Sequence, residues 1–197
     1  MSGEQENKAI VSRWFEGFWG NPWNPKVIDE LAAPDILLQY SLYAPRRGRE
    51  DVRDFMVGFR EAFPDLNFWG AAYLIAEGDY VVGRWEGGGT HTGPAFSDFL
   101  VGSLPAASGR KMRFTGTTVL RVESGRIADE IGLDDGVTAL QQLGIGSDRR
   151  ASHITHGGRP APLIRLKRCG RGGSSPRCSR AAAHRPERSG PQRRNAR

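Results

Sequence analysis

An α+β fold is what the sequence predicts, with three helices packed on one side of a strongly curved antiparallel sheet. Helical periodicity fills the first third of the chain, and residues from 66 onward alternate at period two in hairpin-linked segments. Glycine, proline and aspartate punctuate nearly every junction. Three helices on a bent sheet enclose a cone, whose open end suits a small-molecule pocket.

Each element follows from local pattern. Between Glu4 and Trp19, the residues Ile10, Val11, Trp14, Phe15, Phe18 and Trp19 recur at one-turn spacing and form a broad aromatic stripe. Gly20-Asn21-Pro22 stops that helix, and Asn24-Pro25 starts another with Val27, Ile28 and Leu31 inward. Pro34 ends it, and Ile36 to Tyr40 reads as a short strand. After a basic turn at Pro45 to Gly48, a third helix spans about Glu50 to Phe63 with Val52, Phe55, Met56, Phe59 and Phe63 on one face. Pro64-Asp65 breaks it. Strands are expected at Leu66 to Ile75, Tyr80 to Thr90, Lys111 to Val122 and from Gly125 onward. A Pro/Gly/Ser-rich connection covers about Gly93 to Gly109, and Ala139 to Gly144 reads as a closing helical turn.

The chain changes character at Gly146. From there to Arg197 it holds 14 Lys and Arg against 2 Asp and Glu, a net of +12, whereas residues 1–145 carry a net of −6. The expected organisation is therefore a domain over 1–145 and a disordered Arg/Gly/Pro/Ser-rich tail over 146–197. Such a tail offers weak non-specific nucleic-acid binding at most, because it has no aromatic residue to stack on bases. His153, His156, Cys169 and Cys178 form a poor zinc pattern, since eight residues separate the cysteines. The body has one histidine and no cysteine, so no structural zinc site is expected there. No apolar run approaches the ~20 residues of a membrane span, and the polar N-terminus lacks a signal-peptide pattern. A cytoplasmic protein is expected.

Candidate chemistry concentrates at the end of the last strand. Alternation places Ile127, Asp129, Ile131, Leu133 and Asp135 on one face, and Ala128, Glu130, Gly132 and Asp134 on the other. Only one of the adjacent carboxylates Asp134 and Asp135 can then turn inward, and the apolar face points to Asp135. Equally, both can be solvated or can cap the following turn. His91, the sole histidine of the body, shares parity with Trp85 if no bulge intervenes. An imidazole and a carboxylate in one pocket would span the useful range for proton transfer. Trp85 is the better candidate for a pocket wall than Trp14 or Trp19, which read as core. One of Gln39 and Tyr40 should face inward.

Glu6-Asn7-Lys8 leading into Trp14-Phe15, the stretch Val27 to Asp35, Gly48 to Val52, Ala62 to Leu66, Gly89 to Gly93, Arg113 to Gly116 and Leu140 to Gly144 together resemble the SnoaL-like polyketide cyclase (ester cyclase) family. The match covers nearly all of residues 5–145. It implies the cone-shaped nuclear transport factor 2-like (cystatin-like) fold and pairing of two copies. It also implies a cofactor-free intramolecular aldol closure, or a related isomerisation or dehydration, of a small apolar carbonyl substrate. By the same resemblance Asp135 is the acid/base and His91 its companion. Gln39, Tyr40, Phe55, Trp85 and Leu133 are the residues expected to line the substrate pocket. A non-catalytic binding or dimerisation module of this fold is the alternative. Three departures stand out: Asp134 replaces the tryptophan usual before the acid, Gln39 replaces a histidine, and the connection from Pro94 to Arg110 is longer.

Overall fold

The structure, a computed structural model, describes residues 3–146; the basic tail and its zinc pattern lie outside the described residues. Its helices are α1 (Gly3–Trp14), α2 (Lys26–Leu31), α3 (Arg49–Ala62) and α4 (Gly136–Gln142). The strands are β1 (Ala32–Gln39), β2 (Arg46–Arg47), β3 (Asn67–Gly70), β4 (Ile75–Glu77), β5 (Tyr80–Thr90), β6 (Lys111–Glu123) and β7 (Arg126–Asp134). They form one seven-stranded sheet in the order β2-β1-β7-β6-β5-β3, with β4 also on β5.

The aromatic stripe of α1 continues through a π-helical turn at Phe15–Trp19. The wider turn rephases the chain, so Trp14, Phe15, Phe18 and Trp19 are all buried. Trp14 and Phe18 stack at 4.3 Å. The Asn24 side chain accepts from the Lys26 amide at 3.2 Å, which supports the start of α2 as expected. Helix α3 buries Val52, Phe55, Met56, Phe59 and Ala62, the face that its spacing marks.

Three expectations are corrected. The sheet is mixed rather than antiparallel, because β1 runs parallel to β7. Pro34 does not end α2 but sits within β1, where the β1–β7 register shifts between Ala32 and Leu37; proline cannot donate to a ladder, so the pairing breaks around it. The single strand expected from Leu66 to Ile75 is two, β3 and β4, separated by residues 71–74.

The last strand carries the correction with most consequence. The β6–β7 register shifts between Arg121 and Val122, where Asp129 and then Ile127 serve as partners and leave Ala128 as an extra residue. Such a bulge reverses the alternation. Glu130, Gly132 and Asp134 therefore lie opposite Leu120, Thr118 and Gly116, on the face that carries buried Phe114, Thr118 and Leu120. Ile131 and Leu133 turn outward with Val119, at 44%, 79% and 42% exposure. Beyond the end of β7, the Gln142 amide accepts from Arg113 N at 2.6 Å and donates to Arg113 O at 3.1 Å. It pairs with β6 as a neighbouring strand would, which anchors α4 against the sheet.

Two strand glycines make room for rings. A Cβ at Gly116 would overlap the Trp85 indole, and one at Gly132 would overlap the Tyr40 ring. Alanine normally improves on glycine inside a strand. Here Gly132→Ala is expected to destabilise by about 1–3 kcal/mol through overpacking, read as a lowered midpoint in thermal denaturation.

Candidate functional site

Between the π-helical turn, the end of β1, α3 and the inner sheet face lies a narrow cleft with a free volume of about 20 Å³. Trp19, Tyr40, Phe68 and Trp85 wall it, Phe15, Phe59 and Phe114 add further rings, and Leu42, Tyr43 and Asp134 complete it. Asp134 is the single carboxylate of that lining, and no Lys, Arg or His takes part among the described residues.

Behind the wall sits a fully buried acid, Glu130. Oε1 accepts from Trp19 Nε1 at 2.7 Å and from the Tyr40 hydroxyl at 2.5 Å, and Oε2 accepts from Trp14 Nε1 at 2.7 Å. The Tyr40 and Thr118 hydroxyls lie 2.9 Å apart, and Trp85 Nε1 donates to Thr118 Oγ1 at 2.8 Å. A carboxylate in an apolar interior is expensive unless its acceptors are filled. These donors come from α1, the π-helical turn and the residue that follows β1, so the acid, itself on β7, ties the helical layer to the sheet. Burial raises the carboxyl above its ordinary value, opposed by the hydrogen bonds from Tyr40, Trp19 and Trp14. Burial together with Glu130 raises the Tyr40 phenol.

At the end of β7, Asp134 Oδ1 accepts from the Ser41 hydroxyl. Burial raises the Asp134 carboxyl, the Ser41 and Gly136 hydrogen bonds lower it, and the charge of Asp135 raises it further. The Tyr43 hydroxyl has no hydrogen-bond partner among the described residues. Its phenol is raised by burial first, then by the charges of Glu130 and Asp134, so it stays protonated at neutral pH. The cleft thus joins a half-buried carboxylate to a free hydroxyl donor.

The expected site residues divide. Tyr40 and Trp85 line the cleft. Phe55 stands behind it, with its ring 4.3 Å from that of Tyr43 and the Arg46 guanidinium over its other neighbourhood at 5.0 Å. Asp135 does not enter. It is exposed and caps α4, accepting from Thr138 N at 3.3 Å, an arrangement aspartate favours at helix starts. Leu133 and Gln39 are exposed on the outer face, where Gln39 pairs with Ile131. His91 is fully buried, but away from the cleft lining. Its Nε2 lies 2.7 Å from Pro94 O and its Nδ1 2.9 Å from Ser108 Oγ. Only a donor can face a carbonyl, so Nε2 carries the proton and Nδ1 accepts from Ser108. The ring also packs on Phe63 at 5.1 Å. His91 fastens both ends of the long connection and does not meet the acid. Asp134, Tyr43 and Glu130 were missed. The shared parity of Glu130, Gly132 and Asp134 was the available signal for two of them.

The sequence profile described as SnoaL-like polyketide cyclase matches residues 9–143. The chain belongs to this family. No curated protein matches the chain significantly. Among solved structures, a protein from Jannaschia sp. CCS1 assigned as a SnoaL-like polyketide cyclase is 23% identical, with a TM-score of 0.61 over 73% of this chain and 94% of that one. IdmH from Streptomyces antibioticus, assigned as a polyketide cyclase, is 25% identical, with a TM-score of 0.53 over 72% of this chain and 99% of that one. AclR from Streptomyces galilaeus, assigned as a hydroxylase, is 24% identical, with a TM-score of 0.56 over 72% and 83%. The family has the nuclear transport factor 2-like fold. No helix among the described residues is long and apolar enough to cross a membrane.

Proposed function

We propose that the chain is a cyclase-type enzyme that performs acid/base chemistry on a small apolar carbonyl compound, with Asp134 as the proton-transfer group. The observation that carries this reading is the pairing of one half-buried carboxylate with a free phenolic donor in an aromatic cleft. In an aldol closure, Asp134 removes a proton from the carbon beside a carbonyl. The Tyr43 hydroxyl donates to the carbonyl oxygen as the enolate develops. The carbon nucleophile then attacks a second carbonyl of the same molecule. The C–C bond forms, and the new alkoxide takes the proton back from Asp134. Every proton is accounted for within the chain and substrate, so the route requires no cofactor. A raised carboxyl suits both halves of that exchange, because general acid/base groups work best with values near the ambient pH.

The test is turnover of a panel of β-polyketone and hydroxy-ketone substrates with product analysis. Ring closure conserves mass and isomerisation does too, but they differ by NMR; dehydration loses water. Binding without conversion of any substrate would favour the binding-module reading instead.

The outward face of β6 and β7 presents Val119, Ile131 and Leu133 to solvent. A second copy of the chain, in the cytoplasm, is the proposed cover. Light scattering is expected to give a dimer mass for the wild type and a monomer mass for Leu133→Glu; a monomeric wild type removes this proposal.

A further inference from the structure

Two segments that meet beyond the end of β7 hold the Asp134 carboxylate. One carries Ser41, just past β1, and the other is Gly136, the first residue of α4. The Ser41 hydroxyl donates to Oδ1, and the backbone amides of Ser41 and Gly136 also donate to this carboxylate. The main chain beneath it is fixed as well. Asp134 stands opposite Gly116 in the β6–β7 register, and Asp135 N donates to Thr115 O at 3.0 Å. The segment that carries Ser41 is braced in turn: Leu100 N donates to Leu42 O at 2.9 Å, and Tyr43 bridges Phe99.

Gly136 contributes by having no side chain. It is not among the glycines with positive φ, so its backbone conformation suits any residue. What excludes a larger residue is space. An added Cβ would lie 2.7 Å from Ser41 Oγ and 3.0 Å from both Asp134 Oδ1 and Leu42 Cδ2. The missing side chain leaves room for the contact between hydroxyl and carboxylate. Ser41 itself is exposed, where a hydrogen bond exchanges with water and contributes little to stability. What that bond does fix is orientation. Proton transfer is sensitive to orientation, since a misplacement of ~1 Å costs about 10²-fold.

We propose that Ser41 is a positioning residue, whose hydroxyl, seated in the space left by Gly136, holds the Asp134 carboxylate in the orientation that proton transfer requires. The role rests on the reading of Asp134 as the proton-transfer group.

The test measures turnover of the β-polyketone panel against pH for the wild type, Ser41→Ala, Ser41→Thr and Gly136→Ala. The titratable groups around the carboxyl are Asp135, whose charge raises it, and Tyr43, whose phenol stays protonated. Both are kept in every variant. A hydrogen bond to the ionised form lowers a carboxyl, so Ser41→Ala is expected to move the acidic limb of kcat/KM to higher pH. It is also expected to lower kcat by about 10–10²-fold, with KM little changed. Ser41→Thr keeps the hydroxyl and is expected to restore both. Gly136→Ala is expected to reproduce the shift and to add little to Ser41→Ala, because both act on one contact. An unmoved limb and undiminished kcat in Ser41→Ala, with Asp134→Asn inactive, overturns the positioning role and leaves the base in place. Unchanged turnover in Asp134→Asn instead removes the reading on which the role rests. A carbon-13 NMR titration of the Asp134 carboxyl needs no substrate: its midpoint is expected to rise in Ser41→Ala, and an unchanged midpoint overturns the proposal directly.

Discussion

Asp134→Asn is expected to lower kcat by about 10²–10⁴-fold, the usual worth of a positioned acid/base group, with little change in thermal midpoint. The amide is isosteric and can still accept from Ser41, whose hydroxyl meets Oδ1 in the wild type, so the fold keeps its contact while the proton acceptor is gone. Asp135→Asn serves as the matched control. Asparagine caps helices about as well as aspartate, and Asp135 faces solvent at the start of α4, so near-normal turnover is expected. The pH profile adds an independent check. Burial raises the Asp134 carboxyl, and the base form must be ionised to act. Activity of the wild type should therefore rise with pH through a value above the ordinary carboxylate range, and that limb should vanish in Asp134→Asn. Equal turnover in both variants would end the proposed mechanism; loss confined to Asp135→Asn would return the chemistry to the exposed acid.

The contrast between these two neighbours shows where sequence reasoning reaches and where it stops. Helix α3 was legible because Val52, Phe55, Met56 and Phe59 repeat at helical spacing, and burial follows that face. The β6–β7 hairpin was legible because Ser124 and Gly125 supply the positive φ values, 51° and 75°, of its turn. The direction of Asp134 was not. One bulged residue at Ala128 inverts every side chain after it, and nothing local in the sequence marks that residue. The usual cue, apolar inside and polar outside, points the wrong way in β7. Ile131 and Leu133 are exposed while Glu130 is sealed, because the inner face is built around a hydrogen-bonded acid and the outer face is left apolar. The parallel placement of β1 beside β7 joins segments about ninety positions apart and has no local signal. Tyr43 lies in a turn-rich stretch with no periodicity to read. By contrast, the core position of Trp19 was legible from its helical spacing, and the same buried ring also borders the cleft.

Glu130→Ala is expected to destabilise the domain by about 2–6 kcal/mol, since it strands two buried donors that each cost about 1–3 kcal/mol unmade. Those donors are the indole N–H groups of Trp14 and Trp19, whereas the Tyr40 hydroxyl keeps Thr118 Oγ1 as a partner at 2.9 Å. Against a typical total of about 5–15 kcal/mol, such a loss should appear as a large drop in the denaturation midpoint. Glu130→Gln is the gentler variant. It keeps the volume and one oxygen but turns an amide toward an indole N–H, which can only donate, so a smaller loss is expected. The pH dependence has a defined sign. Burial raises the folded-state value of Glu130 above its unfolded value, so the folded protein binds this proton more tightly than the unfolded chain. Its contribution is most favourable below the unfolded value. It declines as pH rises from the ordinary carboxylate range through the raised folded value. The difference in midpoint between wild type and Glu130→Gln should accordingly shrink across that window as pH increases, the reverse of what an acid held by a cationic partner would give. A difference that widens with pH would mean that the three donors outweigh burial, and that the acid is held ionised as the fixed negative charge of the core.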